Sequence, residues 1–227
     1  MGGWPTSLFP VLNLLLAGAL VAFIHLGTMA VVGSALGAQL LSVAFGAGPT
    51  LWRTPRFHLL ALPIGGAVRF LHSVDDPVPE GAEHRALDRR PLLAQLATLL
   101  SGCAVLLALA VGLLGAGGIA AFLALPAQLF GGAISPFGDA QALLHQAALG
   151  VQAAPFSAVL GVVAAKVAAL NLLPLQLLNG GAALAVLGRR LGVAGLWPAA
   201  AMHALFCVWA ALALAWFLAL GTYVISA

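Results

Sequence analysis

The sequence predicts a mainly α-helical, polytopic membrane protein with about four transmembrane helices and a small membrane-associated β element after the first of them. Three observations carry this. Of 227 residues, 63% are hydrophobic and 7% charged, where a soluble domain carries roughly 25% charged residues. Mean hydropathy is +1.10, and several apolar runs reach the roughly 20 residues that a helix needs to cross the hydrocarbon core. The charges are also gathered: of the fifteen Asp, Glu, Lys and Arg residues, all but four lie between Arg53 and Arg90. At this length residues 1–227 are read as a single membrane-embedded domain.

Taken in order, the first span is expected at about residues 8–32, with Asn13, His25 and Thr28 as its polar exceptions. It is read as a retained span, because no basic segment precedes it and its apolar run is too long for a signal-peptide core. A Gly- and Pro-rich stretch follows. Short apolar runs such as Leu40–Phe45 and Phe57–Leu62 lie between those breaks, so a β-rich segment is predicted at about 38–71. His72–Arg90 is polar and reads as a solvated loop, including Asp75, Asp76, Glu80 and Glu83. The second span is predicted at 92–114. In Gly115–Ala154, the Ile119–Phe130 run is short and interrupted by Pro126, which fits a re-entrant or interfacial piece. Leu143–Val151 reads as a short surface helix. The third span is predicted at 156–173, ended by Pro174. A short helix after Gly181 ends at Arg189-Arg190, and the fourth span is predicted at 197–220.

Orientation follows from basic residues near the span ends. The connection after the first span holds six arginines, that after the second holds no Lys or Arg, and that after the third holds Arg189 and Arg190. The first and third connections are therefore expected in the cytoplasm and both termini outside it. Acidic residues interleave with basic ones, unlike a nucleic-acid surface, so no nucleic-acid partner is expected. Cys103 and Cys207 lie in apolar runs and suggest packing residues, with no disulfide framework.

One histidine, His25, lies within the first apolar run, and a histidine at that depth calls for a reason. It is followed by Gly37, then Gly46-Ala47-Gly48-Pro49 and Leu51-Trp52-Arg53. A second block is Leu62-Pro63-Ile64-Gly65-Gly66-Ala67-Val68-Arg69. A third is Asn171-Leu172-Leu173-Pro174, then four residues, then Asn179-Gly180-Gly181. In this order the blocks resemble the site-2 protease family of intramembrane zinc metalloproteases. That family shows His-Glu-x-x-His, then Gly-x-Gly-Pro, a Pro-Leu-Gly-Gly-Tyr-Val strand, and Asn-Leu-Leu-Pro-x4-Asp-Gly-Gly. Arg90-Pro91-Leu92 adds weaker support. The resemblance covers nearly the whole chain and implies the four-span core of that family with its small β element. Gly115–Ala154 is too short for the PDZ insert of larger members.

The departures fall on the family's chemistry. Aligned without a gap, its His-Glu-x-x-His positions read His25-Leu26-Gly27-Thr28-Met29. The first ligand position keeps histidine. The position of the general base is Leu26, the second histidine is Met29, and the family's metal-binding aspartate is Asn179. Ser101-Gly102-Cys103 stands for the usual Ala-Gly-Pro. Residues i and i+4 share a helix face, which is how two imidazoles come to bind one zinc and a neighbouring glutamate comes to accept a proton from its water. A thioether is a poor zinc ligand that suits soft ions such as Cu(I). An amide carbonyl lacks the carboxylate's charge, and leucine accepts no proton. The expectation is that no residue acts as a catalytic group and no metal is bound.

Two further features have competing readings. His203 and Cys207, also spaced i, i+4, make with His25 an alternative metal set that zinc accepts; the simpler reading makes them packing residues. Lys166 lies inside the third predicted span, where an ammonium should face inward. It is expected to fill the vacated metal cavity, with Asn179 accepting its protons; the alternatives are snorkelling and pairing with an acid on a partner. His58, His72, His84 and His145 read as surface residues. The functional expectation is a pseudoprotease that binds membrane-protein partners or transmembrane peptides in the bilayer, with no cofactor. The alternative is an active intramembrane metalloendopeptidase that uses zinc in an unorthodox site. A small-molecule or ion-conducting protein is a third class, supported by Lys166 alone.

Overall fold

The computed structural model of the chain describes residues 9–74, 76–78, 81–175, 177–193 and 199–226. The elements run α1 (Phe9–Ala35), β1 (Leu40–Arg53), β2 (Phe57–Phe70), α2 (Leu92–Leu114), α3 (Ala116–Ile134), α4 (Asp139–Ala153), α5 (Phe156–Asn171), α6 (Asn179–Arg190) and α7 (Ala199–Ser226). Among the described residues, four helices can cross a membrane by length and apolarity: α1, α2, α3 and the His203–Ser226 part of α7. This is the pattern of a multi-pass integral membrane protein.

α1 is apolar on every side, so hydrophobicity does not mark its inner face. Small and polar residues do, as is usual where lipid offers no contrast to leucine. Its buried residues are Ala17, Val21, Ala22, His25, Leu26, Met29, Ala30 and Gly33, a stripe at helical spacing. Phe9, Leu12, Leu16, Phe23 and Val31 lie on the exposed side. The stripe meets α2 and α5 in a core of Val21, Leu106, Ala110, Ala164, Ala165 and Ala168. Alanines at the contact let the backbones approach closely.

Two expectations about the spans are corrected. The predicted third span, 156–173, is the 16-residue helix α5. At the helical rise it is roughly 24 Å long, short of the ~30 Å hydrocarbon core. It is packed among α1, α2 and α3. The stretch expected to be re-entrant is instead the continuous 19-residue α3. Pro126 removes one backbone donor but does not end the helix. Gly115, at φ +58°, closes α2 and opens α3, so the chain reverses within a residue. A Cβ on Gly118 would lie 2.6 Å from the Ala110 carbonyl, which is why glycine stands at that crossing. α7 holds α3 and α4: Trp216 Nε1 donates to Leu129 O at 2.9 Å, and Gln141 Nε2 to Ala219 O at 2.8 Å. The surface helix expected at 143–151 is α4, and the one expected after Gly181 is α6. Trp197, where the last span was expected to start, lies outside the described residues.

The β element falls where it was predicted. β1 and β2 pair antiparallel overall, with register breaks. Val43, Ala44 and Phe45 face Val68, Ala67 and Gly66 on one side and Phe57, His58 and Leu59 on the other, and Leu59 and His58 pair in turn with Trp52 and Arg53. Gly46 and Gly66 have φ of +99° and +142° and admit the bends. The sheet packs on the C-terminal half of α1. Phe45 meets Phe23 edge to face with centroids 6.2 Å apart. The Phe70 ring fills the space where a Gly33 side chain would stand. Residues 47–53 are exposed, Leu51 and Trp52 among them.

The 72–90 connection exposes Glu83, Arg85 and Arg89, as a solvated loop should, but is tied down at Asp76 and Asp88; Asp75 and Glu80 lie outside the described residues. Arg69 pairs with Asp76, whose other carboxylate oxygen accepts the His72 amide at 3.0 Å. Asp88 accepts both the amide and the hydroxyl of Ser73. Buried Gln95, in the first turn of α2, donates back to Asp88 O and Arg90 O. Burial alone raises the Asp88 pKa, but the Ser73 bonds and nearby His72 outweigh it and hold the carboxyl below its usual value. A depressed carboxylate stabilises the fold above its unfolded pKa and loses that contribution as pH falls through the folded one. Asp88→Asn is therefore expected to cost about 1–3 kcal/mol at pH 7. The gap from wild type should close below about pH 4, as read by thermal melts in detergent across pH.

Candidate functional site

The buried stripe of α1 carries a thioether one turn after an imidazole, and the neighbouring helices determine what they face. His25 and Met29 are both buried on that stripe. On α2 the residue opposite is Gly102. A Cβ there would lie 2.5 Å from His25 Nδ1 and 2.8 Å from Cε1, so the ring occupies the room that a missing side chain leaves. Nδ1 has no hydrogen-bond partner among the described residues. Leu26, the next residue, points to the sheet: its Cδ1 would lie 2.5 Å from a Cβ on Gly66 of β2.

The third side is supplied by the turn between α5 and α6. Asn171 ends α5, Pro174 prevents its continuation, and the Leu175 and Leu178 amides donate to Leu173 O and Leu175 O at 2.7 and 2.9 Å. α6 then starts against the end of α5. A Cβ on Gly180 would lie 2.2 Å from Leu172 O and 2.6 Å from Leu173 O, so only glycine permits this approach. The approach carries Asn179, first residue of α6, to α1 and α2.

Asn179 Nδ2 donates to Leu99 O at 2.6 Å and to Met29 Sδ at 3.1 Å, and lies 3.4 Å from His25 Nε2. The Leu99 carbonyl fixes which way the amide points. Flipping it would set Oδ1 against another carbonyl oxygen at the same 2.6 Å. The amide nitrogen therefore spends its two N–H groups on Leu99 O and Met29 Sδ, with the imidazole Nε2 beside it at 3.4 Å.

This arrangement joins His25, Met29 and Asn179 but suits hydrogen bonding better than metal binding. A metal needs lone pairs converging on one point. Here it is the Asn179 amide nitrogen, which has no free lone pair, that stands against Met29 Sδ and His25 Nε2. The fit of zinc to these side chains is poor on that ground, and Leu26 supplies no proton acceptor.

Lys166 is elsewhere, which corrects the expectation that it fills this space. Its ammonium donates to Gln128 Oε1 on α3. Both residues line a cavity of about 860 Å³ that also takes in Pro10, Val11 and Leu14 from the start of α1. Leu14 and His25 are eleven residues apart on α1, or roughly 16 Å along the helix. Insertion scales put an ammonium in hydrocarbon at about 2.5–3.5 kcal/mol, and the carboxamide offsets part of that. Nor does the alternative metal set assemble. His203 and Cys207 are exposed on α7, which packs on α3 and α4, whereas His25 is buried against α2. Among the described residues no group of three or more His, Cys, Asp or Glu is placed to hold a metal. Of the histidines read as surface residues, His145 is exposed on α4, whereas His58 and His72 are half-buried.

Sequence reasoning missed three participants. Leu99 contributes only a carbonyl, which no side-chain pattern reveals. Gly102 shows its role only once α1 is placed against α2. Gln128 did leave a signal: it is the only residue in Ile119–Phe130 with a hydrogen-bonding side chain, and such a side chain in a membrane needs a partner.

No protein-family model matches the chain, and no curated protein matches it either.

Proposed function

We propose that this chain is a catalytically inactive, site-2 protease-like membrane protein, a pseudoprotease that holds membrane-protein partners without cleaving them. The observation that carries the reading is the Asn179 amide nitrogen, which donates to Leu99 O and Met29 Sδ and stands 3.4 Å from His25 Nε2. A hydrolase with this layout needs lone pairs converging on a metal and a base beside the bound water. Here N–H donors stand at the first place and Leu26 at the second. The rival, an active metalloendopeptidase, requires this amide to turn over against the Leu99 carbonyl.

Partner binding rests on the sheet. Thr50, Trp52 and Arg53 pair with Leu60, Leu59 and His58 on one side, and an edge strand of this kind can add an extended peptide through main-chain hydrogen bonds. Leu51 and Trp52 are exposed beside Arg53, which suits the juxtamembrane part of a transmembrane segment. On this reading the edge lies on the cytoplasmic side with both termini opposite, which the arginine-rich connection supports.

The test uses the full chain in proteoliposomes with zinc supplied, together with a panel of single-span membrane peptides that have extended cytoplasmic flanks. A photo-crosslinker at Trp52 is expected to join intact peptide, while one at Phe217, exposed on α7, joins little. Zinc-dependent cleavage, or equal crosslinking from both positions, contradicts the reading.

A further inference from the structure

The cavity around Lys166 is separate from the His25 cluster. Its volume of about 860 Å³ falls within the roughly 300–1,000 Å³ usual for small-molecule sites. The walls are mostly apolar, from Leu14 on α1, Leu125 on α3, Leu149 on α4 and Val162 on α5. Polar side chains interrupt them at His145, Gln146, Gln152 and Tyr223, and where Lys166 meets Gln128.

Charge and shape together identify the occupant. The ammonium has three N–H donors, and among the described residues the Gln128 oxygen takes one. No Asp or Glu among the described residues lines the cavity. Because Gln128 accepts through Oε1, its own NH2 remains to donate. Two donor groups, one of them cationic, thus stand side by side in an apolar chamber, a match for an anion joined to a hydrocarbon chain.

We propose that this cavity binds a single-chain membrane amphiphile with an anionic head. The carboxylate or phosphate sits on Lys166 and Gln128, and the acyl chain lies along the apolar walls.

The test is ligand binding by the full chain in nanodiscs of zwitterionic lipid, with palmitate, palmitoyl lysophosphatidate, the neutral monopalmitin and inorganic phosphate as probes. Palmitate or lysophosphatidate, or both, should bind at least about tenfold more tightly than monopalmitin, and inorganic phosphate alone should bind far more weakly. Lys166→Gln should weaken the anionic amphiphiles by about tenfold or more and leave monopalmitin unchanged; Lys166→Arg should retain them. Should Lys166→Gln fail to fold, Gln128→Leu provides the same comparison, with a smaller selective loss. Equal affinity for palmitate, lysophosphatidate and monopalmitin overturns the proposal. So does unchanged anion binding in both variants, or phosphate binding as tight as lysophosphatidate. A polypeptide crosslinked at position 166 that excludes both amphiphiles also overturns it, by identifying a protein carboxylate as the occupant.

Discussion

Gly180→Ala is expected to destabilise this protein strongly. The new Cβ meets Leu172 O, Leu172 C and Leu173 O at 2.2, 2.5 and 2.6 Å. All three are backbone atoms, so no rotamer change relieves the contact. Overpacking costs typically about 1–3 kcal/mol, and a backbone-on-backbone clash should reach the top of that range. For a chain of this size that is a fall of roughly 6–12 °C in melting temperature. The displacement also carries Asn179 away from Leu99, so accessibility of the Met29 sulfur to a mild oxidant should rise in the same variant. Gly27→Ala is the matched control. It lies on α1 between His25 and Met29, yet a Cβ there meets nothing within 4 Å. It should melt within a degree or two of wild type, or slightly higher, since alanine is the better helix former. If both variants melt alike, the tight seat of α6 on the end of α5 is wrong.

The second large effect is a gain. Leu26→Glu, Met29→His and Asn179→Asp together restore a base, a second imidazole and a carboxylate around His25. The three positions of the ligand set already meet, since one amide nitrogen touches both Met29 Sδ and His25 Nε2. The triple variant is expected to bind about one zinc per chain, lost on changing His25 to Ala. Asn179→Asp alone should bind none. It replaces a donor 2.6 Å from Leu99 O with a carboxylate oxygen, leaving a half-buried carboxylate against a carbonyl, which lowers stability by about 1–3 kcal/mol. Zinc added to the triple variant should raise its melting temperature, because metal affinity is folding free energy when only the folded state binds. A triple variant that folds but takes up no zinc would mean that the three positions are not arranged as ligands.

The difference between the readable and unreadable parts of this chain has a physical basis. The spans of α1 and α2 were legible because a run of apolar residues bounded by polar segments admits one interpretation in a bilayer. The sheet was legible from short apolar runs between glycines and prolines. α3 was not, because a proline that would end a helix in water is tolerated inside a membrane protein, where neighbouring helices satisfy the freed carbonyl. The 72–90 connection was legible only in part. Its charges look solvated in sequence, yet Asp76 and Asp88 spend theirs on the backbone and side chains around Arg69, His72 and Ser73. At the site, spacing placed His25 and Met29 on one face, since i and i+4 always share one. The motif after Pro174 supplied Asn179. Spacing gives neither the rotation of an amide nor the choice of an acceptor, so the Leu99 carbonyl appears only in three dimensions. Lys166 was assigned to the wrong cavity because a lone intramembrane cation says that a partner exists, not which helix supplies it. Gln128 is that partner.

The central claim is that the space facing His25 is filled by hydrogen-bond donors rather than by a metal. The most direct measurement is zinc content by elemental mass spectrometry on the full-length wild-type chain, purified without chelator, equilibrated with a slight excess of zinc and desalted. The account predicts far less than one zinc per chain, the same before and after changing His25 to Ala. About one zinc per chain that disappears in His25→Ala would contradict it.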